Sequence, residues 1–342
     1  GGVPKYISSS YSANTCNVFG SGEFFLPESI DNDWNGSIIS VSSSGSGYFE
    51  CYKFNVEQGV GIGVFDNGRA TFVGKFLTVD SGYVATVRDY GDAVFNFNRI
   101  SCDNGLPFFI RHGSSDGFYG KCVVNSEEIS AGALGGSQAV VMQKLRDGAE
   151  VIINSDKFTS AASYAIYAAQ CTGGDVTING KLFGVRGVLS QNCLGGNFYI
   201  NADIEATEGG INMISTNTDN HTVIYDGNIN VLSGAADGID LGGGTLKLHG
   251  SLTNKDISGT GTTYNGIDKS GGILEIDSFS VFTDNESIVG SGNVDIFNSL
   301  YIDKPLGPSI TTSGQYIFTG TTYDGDLVIY NTPTNDNSLT EI

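Results

Sequence analysis

The segment from Gly173 to Leu300 repeats one apolar pattern six times, and this repeat limits the fold more than any other feature of the chain. Val176 and Ile178 lead to Leu182, and Phe198 and Ile200 lead to Ile204. Val223, Tyr225 and Ile229 follow, then Leu246, Leu248 and Leu252, then Leu274 and Ile276 with a looser tail, then Val294, Ile296 and Leu300. The positions are i, i+2 and i+6, usually after a glycine, and the copies start 22, 25, 23, 28 and 20 residues apart. A period in the twenties is the mark of a solenoid, in which each repeat forms one coil stacked on its neighbours.

Upstream, the same first-strand pattern starts at Gly47, with Phe49 and Cys51, then Ala70, Phe72 and Phe76, then Ala93 and Phe95, Phe118, and Val151 with Ile153. A second landmark lies about 13 residues further on, a small residue followed by alternating apolar positions. Its copies include Gly61-Ile-Gly-Val64, Val84-Ala-Thr86, Gly105-Leu-Pro-Phe108, Ser163-Tyr-Ala-Ile166 and Gly187-Val-Leu-Ser190. It continues through Gly210-Ile-Asn-Met213, Gly238-Ile-Asp-Leu241 and Gly266-Ile-Asp268 to Ile288 and Ile310. Two landmarks at a steady offset predict at least two sheets along one superhelix. The 49 glycines and 6 prolines suit an all-β chain full of turns. The best amphipathic windows, Ser137–Arg146 and Thr159–Gln170, also alternate as strands do. About 11 coils at about 4.8 Å each predict a rod roughly 50 Å long.

This organisation resembles the right-handed parallel β-helix superfamily, the fold of pectate lyases and of many bacteriophage tailspikes, over roughly residues 47–312. The expected architecture is therefore all-β: a single-stranded right-handed parallel β-helix with an N-terminal cap. Residues 1–45 read as an irregular cap or attachment segment, 46–312 as the β-helix, and 313–342 as C-terminal strands and a tail. Within the helix, 115–150 fits worst, and Ser126–Gly136 reads as an excursion loop. Gly1-Gly-Val-Pro-Lys has the look of a processed or trimmed start.

Lys and Arg number 17 against 37 Asp and Glu, a formal charge of −20. That field repels polyanions, so nucleic acid is not an expected partner, while cations are attracted. No apolar run is long enough to span a bilayer. The six cysteines show no metal-ligand spacing. Gln170-Cys171-Thr-Gly-Gly and Asn192-Cys193-Leu-Gly-Gly are one motif repeated, which on stacked coils predicts neighbouring thiols or a disulfide, the thiols being preferred.

Chemistry concentrates where the repeat departs from itself. Between the apolar positions of the second landmark, side chains point outward. Down the stack that column reads Gly63, Ala85, Pro107, Ala165, Leu189, Asn212, Asp240, Asp268, Val289 and Thr311. Asn212, Asp240 and Asp268 break an otherwise bland run. Carboxylates one coil apart raise one another's pKa unless a cation or donor intervenes, so Asp240 and Asp268 are the catalytic candidates. The arm between the landmarks takes 12, 13, 16, 21 and 14 residues in successive coils from Val176. Its longest version adds Lys255, Asp256 and Tyr264 as glycan contacts, with Trp34 a distant sugar-stacking candidate. An ordinary turn ladder explains the Asn/Asp column equally well. No cofactor is expected, although a structural or site Ca²⁺ suits the acidic column.

The pectin-cleaving members of the superfamily carry paired Asp-Asp, Gly-His-Gly and Arg-Ile-Lys strings, and these three are absent. His112, His221 and His249 are too far apart in register for a metal site or triad. What the resemblance implies is a virion-surface or extracellular tailspike or tail-fibre protein, a homotrimer attached through its N-terminus and binding bacterial surface polysaccharide. A polysaccharide depolymerase, glycosidase or lyase, on the same fold is the alternative, and a surface adhesin the second.

Overall fold

The computed structural model describes residues 5–6, 16–18, 21–25, 29–32, 36–42, 45–111, 117–132, 137–214, 220–232, 236–255, 264–319, 328–331 and 339–340, with side chains described between 39 and 319 except at 56 and 57. Every regular element among them is a strand. No helix is long and apolar enough to cross a membrane. The chain divides into two compact units, Gly1–Gly184 and Val185–Ile342.

In the first unit the strands Ser46–Val64, Arg69–Arg88 and Asp92–Arg111 pair in parallel, residue for residue. The pairing puts Phe49, Phe72, Phe95, Val124 and Ile153 in one column. All five are buried. The rings of Phe49 and Phe72 stack at 4.7 Å, and those of Phe72 and Phe95 at 5.2 Å. Two more core columns run alongside. One is Phe54, Leu77, Ile100, Ile129 and Phe158, and the other is Ile62, Ala85, Phe108, Val140 and Ile166. Each fully buried Phe or Leu in such a column contributes about 1.5–3 kcal/mol.

Four expectations are corrected here. The third inward position of these coils is Leu77, not Phe76: Leu77 is fully buried, while Phe76 is half-exposed with its edge against Tyr52. Phe118 is not the first-strand residue of its coil. Cys122 and Val124 are, paired with Ala93 and Phe95, and Phe118 forms an isolated bridge to Leu145. Ser126–Ala131 is not a loop but the end of the strand Lys121–Ala131, held between Asp92–Arg111 and Glu150–Ala169. The described residues within 1–45 are also more regular than expected. The strand Ser21–Phe25 pairs in parallel with Ser46–Val64 (Phe24 to Phe49), as does Gly36–Val41 (Ile39 to Ile62). The two helix-compatible windows are strands: Val140–Gln143 lies within 137–146, and Glu150–Ala169 covers nearly all of 159–170.

Outside the core, amides form a ladder along the same unit. Asn125 Nδ2 donates to Asn96 Oδ1 at 2.8 Å, Asn154 to Asn125 at 2.8 Å, and Asn179 to Asn154 at 2.7 Å. Replacing a middle rung orphans an acceptor on one side and a donor on the other. Asn125→Ala is expected to lower stability by about 1–2 kcal/mol in urea unfolding, against about half that for the terminal rung Asn96.

In the second unit the offsets read from the sequence are the pairing register. Phe198 pairs with Val223, Val223 with Leu246, Leu246 with Leu274, and Leu274 with Val294, which are steps of 25, 23, 28 and 20. The loose tail after Ile276 has a local cause: the register shifts between Ile276 and Ser278, so Leu252 meets Val281. A further buried column is Ile211, Ile239, Ile267 and Ile288. After Gln315–Phe318, which extends the parallel stack, Val328–Asn331 and Leu339–Thr340 pair antiparallel.

Cys51, Cys102, Cys122, Cys171 and Cys193 are buried, and no disulfide joins Cys171 to Cys193. Burial pushes the Cys102 thiol up to about 11 and that of Cys122 higher still, so these are packing groups, not nucleophiles.

Candidate functional site

The second unit presents Asn212, Asp240 and Asp268 on consecutive strands. In Ile239–Leu241 and Ile267–Lys269 the flanking residues are buried, so alternation turns the central aspartate outward. Asn212 pairs with Asp240, Asp240 with Asp268, and Asp268 with Val289. The upstream part of the expected column is different. Ala85 pairs with Ile62 and is fully buried, and Ala165 is fully buried as well. The outward series in the first unit is Gly63, Thr86, Phe109, Val141 and Tyr167. Thr311 pairs with Asn293 instead of continuing from Val289.

A third carboxylate joins the pair. Asp237, just ahead of Gly238, brings an oxygen within 4.8 Å of both Asp240 and Asp268, which are as close to each other. All three are half-buried. The Asn265 amide donates to Asp237 Oδ1 at 2.8 Å, and Asn212 Nδ2 donates to Asp240 Oδ2 at 3.2 Å. Asn212 Oδ1 is shut off from solvent with no donor to meet it. Burial, then Asp237 and Asp268, raise the Asp240 pKa to about 6, against the opposing charge of Arg186. Asp237 is raised too, by burial first and Asp268 next, with the Asn265 amide opposing. Three hard oxygen donors, a spare amide oxygen and mutual repulsion suit a hard cation such as Ca²⁺.

Asp237 lies outside the expected column, yet the sequence carries a signal for it. Asp237-Gly-Ile-Asp240 and Asn265-Gly-Ile-Asp268 share the tripeptide Gly-Ile-Asp, with a polar residue ahead of each glycine. The buried Asn254 ties the turns together, its amide donating to the carbonyls of Asn265 at 2.7 Å and Ala236 at 3.1 Å.

The long arm contributes less than its length suggests. Lys255 Nζ pairs with Asp303 at 2.8 Å, and the Tyr264 carbonyl accepts from Thr283 Oγ1 at 2.8 Å. Neither residue meets the three carboxylates among the described contacts. Asp256, Trp34 and His112 lie outside the described residues. So does Asn217-Thr-Asp219, the one copy of a further string carried by pectin-cleaving enzymes. His249 Nδ1 meets Asp226 at 2.7 Å on the surface, and His221 is buried beside Ser190, so these two do not converge on one site.

No protein-family model matches this chain, and no curated protein or solved structure matches it. The class defined by the coordinates alone is an all-β chain of parallel strands in stacked register, compatible with a β-solenoid.

Proposed function

We propose that this chain is a right-handed β-helical receptor-binding protein of the tailspike or tail-fibre kind, displayed on a virion or another extracellular surface and recognising bacterial surface polysaccharide. The observation that carries the reading is the Asp237–Asp240–Asp268 cluster, on the coils where the arm is longest. A cation such as Ca²⁺ held by these oxygens offers its remaining coordination positions to vicinal sugar hydroxyls. Without a cation, the same carboxylates and the Asn212 amide accept and donate to a saccharide directly. Trimeric assembly and attachment through the N-terminus belong to the same reading.

The test is titration of purified capsule or O-antigen oligosaccharides in Ca²⁺ and in EDTA. Asp268→Asn is expected to weaken binding about tenfold or more, as loss of a charge-assisted contact does, with secondary structure unchanged. Equal binding by Asp268→Asn and the parent chain would overturn the reading.

One observation favours a second reading, a depolymerase. Asp240 holds its proton to about pH 6 beside another carboxylate, and the close pair suits a retaining glycosidase, with Asp240 as acid and Asp268 as nucleophile. Release of reducing ends by the parent chain and not by Asp240→Asn would establish it.

A further inference from the structure

The first unit ends two adjacent strands on arginines that are paired in register, Arg88 and Arg111. Each guanidinium lies over an aromatic ring, Arg88 Cζ at 4.9 Å from the centre of Phe65 and Arg111 Cζ at 4.6 Å from that of Phe109. Both side chains are half-buried, and the Nε of each is shut off from solvent without an acceptor. Among the described residues neither forms an ion pair. The charge of Asp89 acts on Arg88, and Tyr83 acts more weakly in the same sense. Burial and then the Arg111 charge lower the Arg88 pKa. Stacked like charges in a partly desolvated place are unfavourable unless something neutralises them.

A third unsatisfied group lies on the same face. Thr86 is two residues before Arg88, so alternation sends its side chain to the same side of the sheet. It pairs with Gly63 and with Phe109. Thr86 is fully buried, and its Oγ1 has no partner. The Phe65 ring folds back over Gly63, where any Cβ would collide with it. Arg88, Arg111 and Thr86 thus share a shelf roofed by Phe65 and Phe109, with three polar atoms unanswered.

We propose that this shelf is a binding site for a small oxyanion, a phosphate, sulfate or carboxylate group, clamped between the Arg88 and Arg111 guanidiniums. Their planar forks match such a group two bonds at a time, and the Thr86 hydroxyl supplies a further donor. The −20 charge of the whole chain opposes a polyanion at long range, so the site takes an isolated charged group. That group arrives either as free phosphate or as the acid of a sugar residue. The shelf is independent of the acidic cluster, which favours the opposite sign of charge.

The experiment is calorimetric titration of the full chain at constant ionic strength, held with chloride, using inorganic phosphate, glucuronic acid and, as a neutral control, glucose. Saturable binding of phosphate and glucuronate but not glucose is expected. Phosphate alone would identify the free ion as the ligand, and glucuronate alone the acidic sugar. Arg111→Gln should weaken binding about tenfold or more, and Arg111→Lys, which keeps the charge and loses the fork, should weaken it less. Arg88→Gln provides the same loss from the neighbouring strand. Asp268→Asn should leave the affinity unchanged, so failure here and failure of the polysaccharide reading are separable. Absence of saturable binding of either anion to the parent chain would overturn the proposal whether or not the variants fold, and so would undiminished binding by folded Arg88→Gln and Arg111→Gln.

Discussion

Between pH 7.5 and pH 4.5 the chain is expected to lose about 2.5 kcal/mol of stability through His221 alone, since a pKa unit corresponds to about 1.4 kcal/mol. The imidazole is 2% exposed. Its Nε2 meets Ser190 Oγ at 2.8 Å, and its ring stands edge-on to Phe198 at 4.7 Å. Burial lowers its pKa from 6.5 to about 4. The backbone of Gly196 and Gly195 opposes that shift, although the buried Nδ1 has no hydrogen-bond partner. No carboxylate contributes to the shift. Above pH 6.5 the ring is neutral in both states and its contribution is fully present. As pH falls from 6.5 towards 4 the unfolded chain takes a proton that the folded one refuses, and stability falls. Asp240 works in the other direction. Its raised pKa means that the folded state binds a proton first as pH falls through 6, which offsets part of the loss. Urea unfolding at the two pH values, in the parent chain and in His221→Phe, isolates the histidine. A variant that keeps the full acid loss would show that the titrating group lies elsewhere.

Gly82→Ala is expected to cost about 3 kcal/mol or more, because it combines backbone strain with a steric collision. Gly82 has φ +125°, a conformation that residues with a side chain rarely adopt. It pairs with Gly59 on one side and Gly105 on the other, and a Cβ at Gly82 would run into the Gly59 carbonyl oxygen. The neighbouring strand cannot withdraw without opening the core columns at Phe72 and Leu77. Thermal unfolding should show a large drop in Tm or no soluble folded protein. A shift no larger than that of a surface alanine substitution would mean that the corner is slacker than its geometry.

Much of this architecture can be read from residues. The steps of 25, 23, 28 and 20 between Phe198 and Val294 are the register itself, because one buried apolar residue per coil must meet its counterpart. Asp240 and Asp268 were readable for the same reason: each follows an isoleucine anchored in the core. Misreadings arose where side-chain type stopped reporting direction. Ala85 is small enough for either face, and only its pairing with Ile62 places it inside. Phe76 is aromatic but lies on the outer face with its edge against Tyr52, and Phe118 is fully buried but on an isolated bridge to Leu145, outside the first-strand column. In residues 1–45 the apolar pairs are sparse, so Phe24 and Ile39 are recognisable only against Phe49 and Ile62. Arg88 and Arg111 each close a strand and belong to no motif in the sequence. Their step of 23 equals that from Phe72 to Phe95, so the pairing follows from the repeat, whereas the ring under each guanidinium does not.

The strand Lys121–Ala131 meets its neighbours at offsets of 29 on both sides, where the preceding coils use 23. The six extra residues leave the pairing of Val124 with Phe95 and Ile153 undisturbed, so this added length is absorbed at the corners; the one-residue shift between Ile276 and Ser278 is the case where a strand itself takes up a residue, as a bulge. Heredity can therefore edit such a molecule like a page with fixed line endings and free margins. A duplication or slippage at a corner rewrites what the surface offers, while a residue inserted inside a strand turns its inward side chains outward unless a bulge, like the one between Ile276 and Ser278, restores the register.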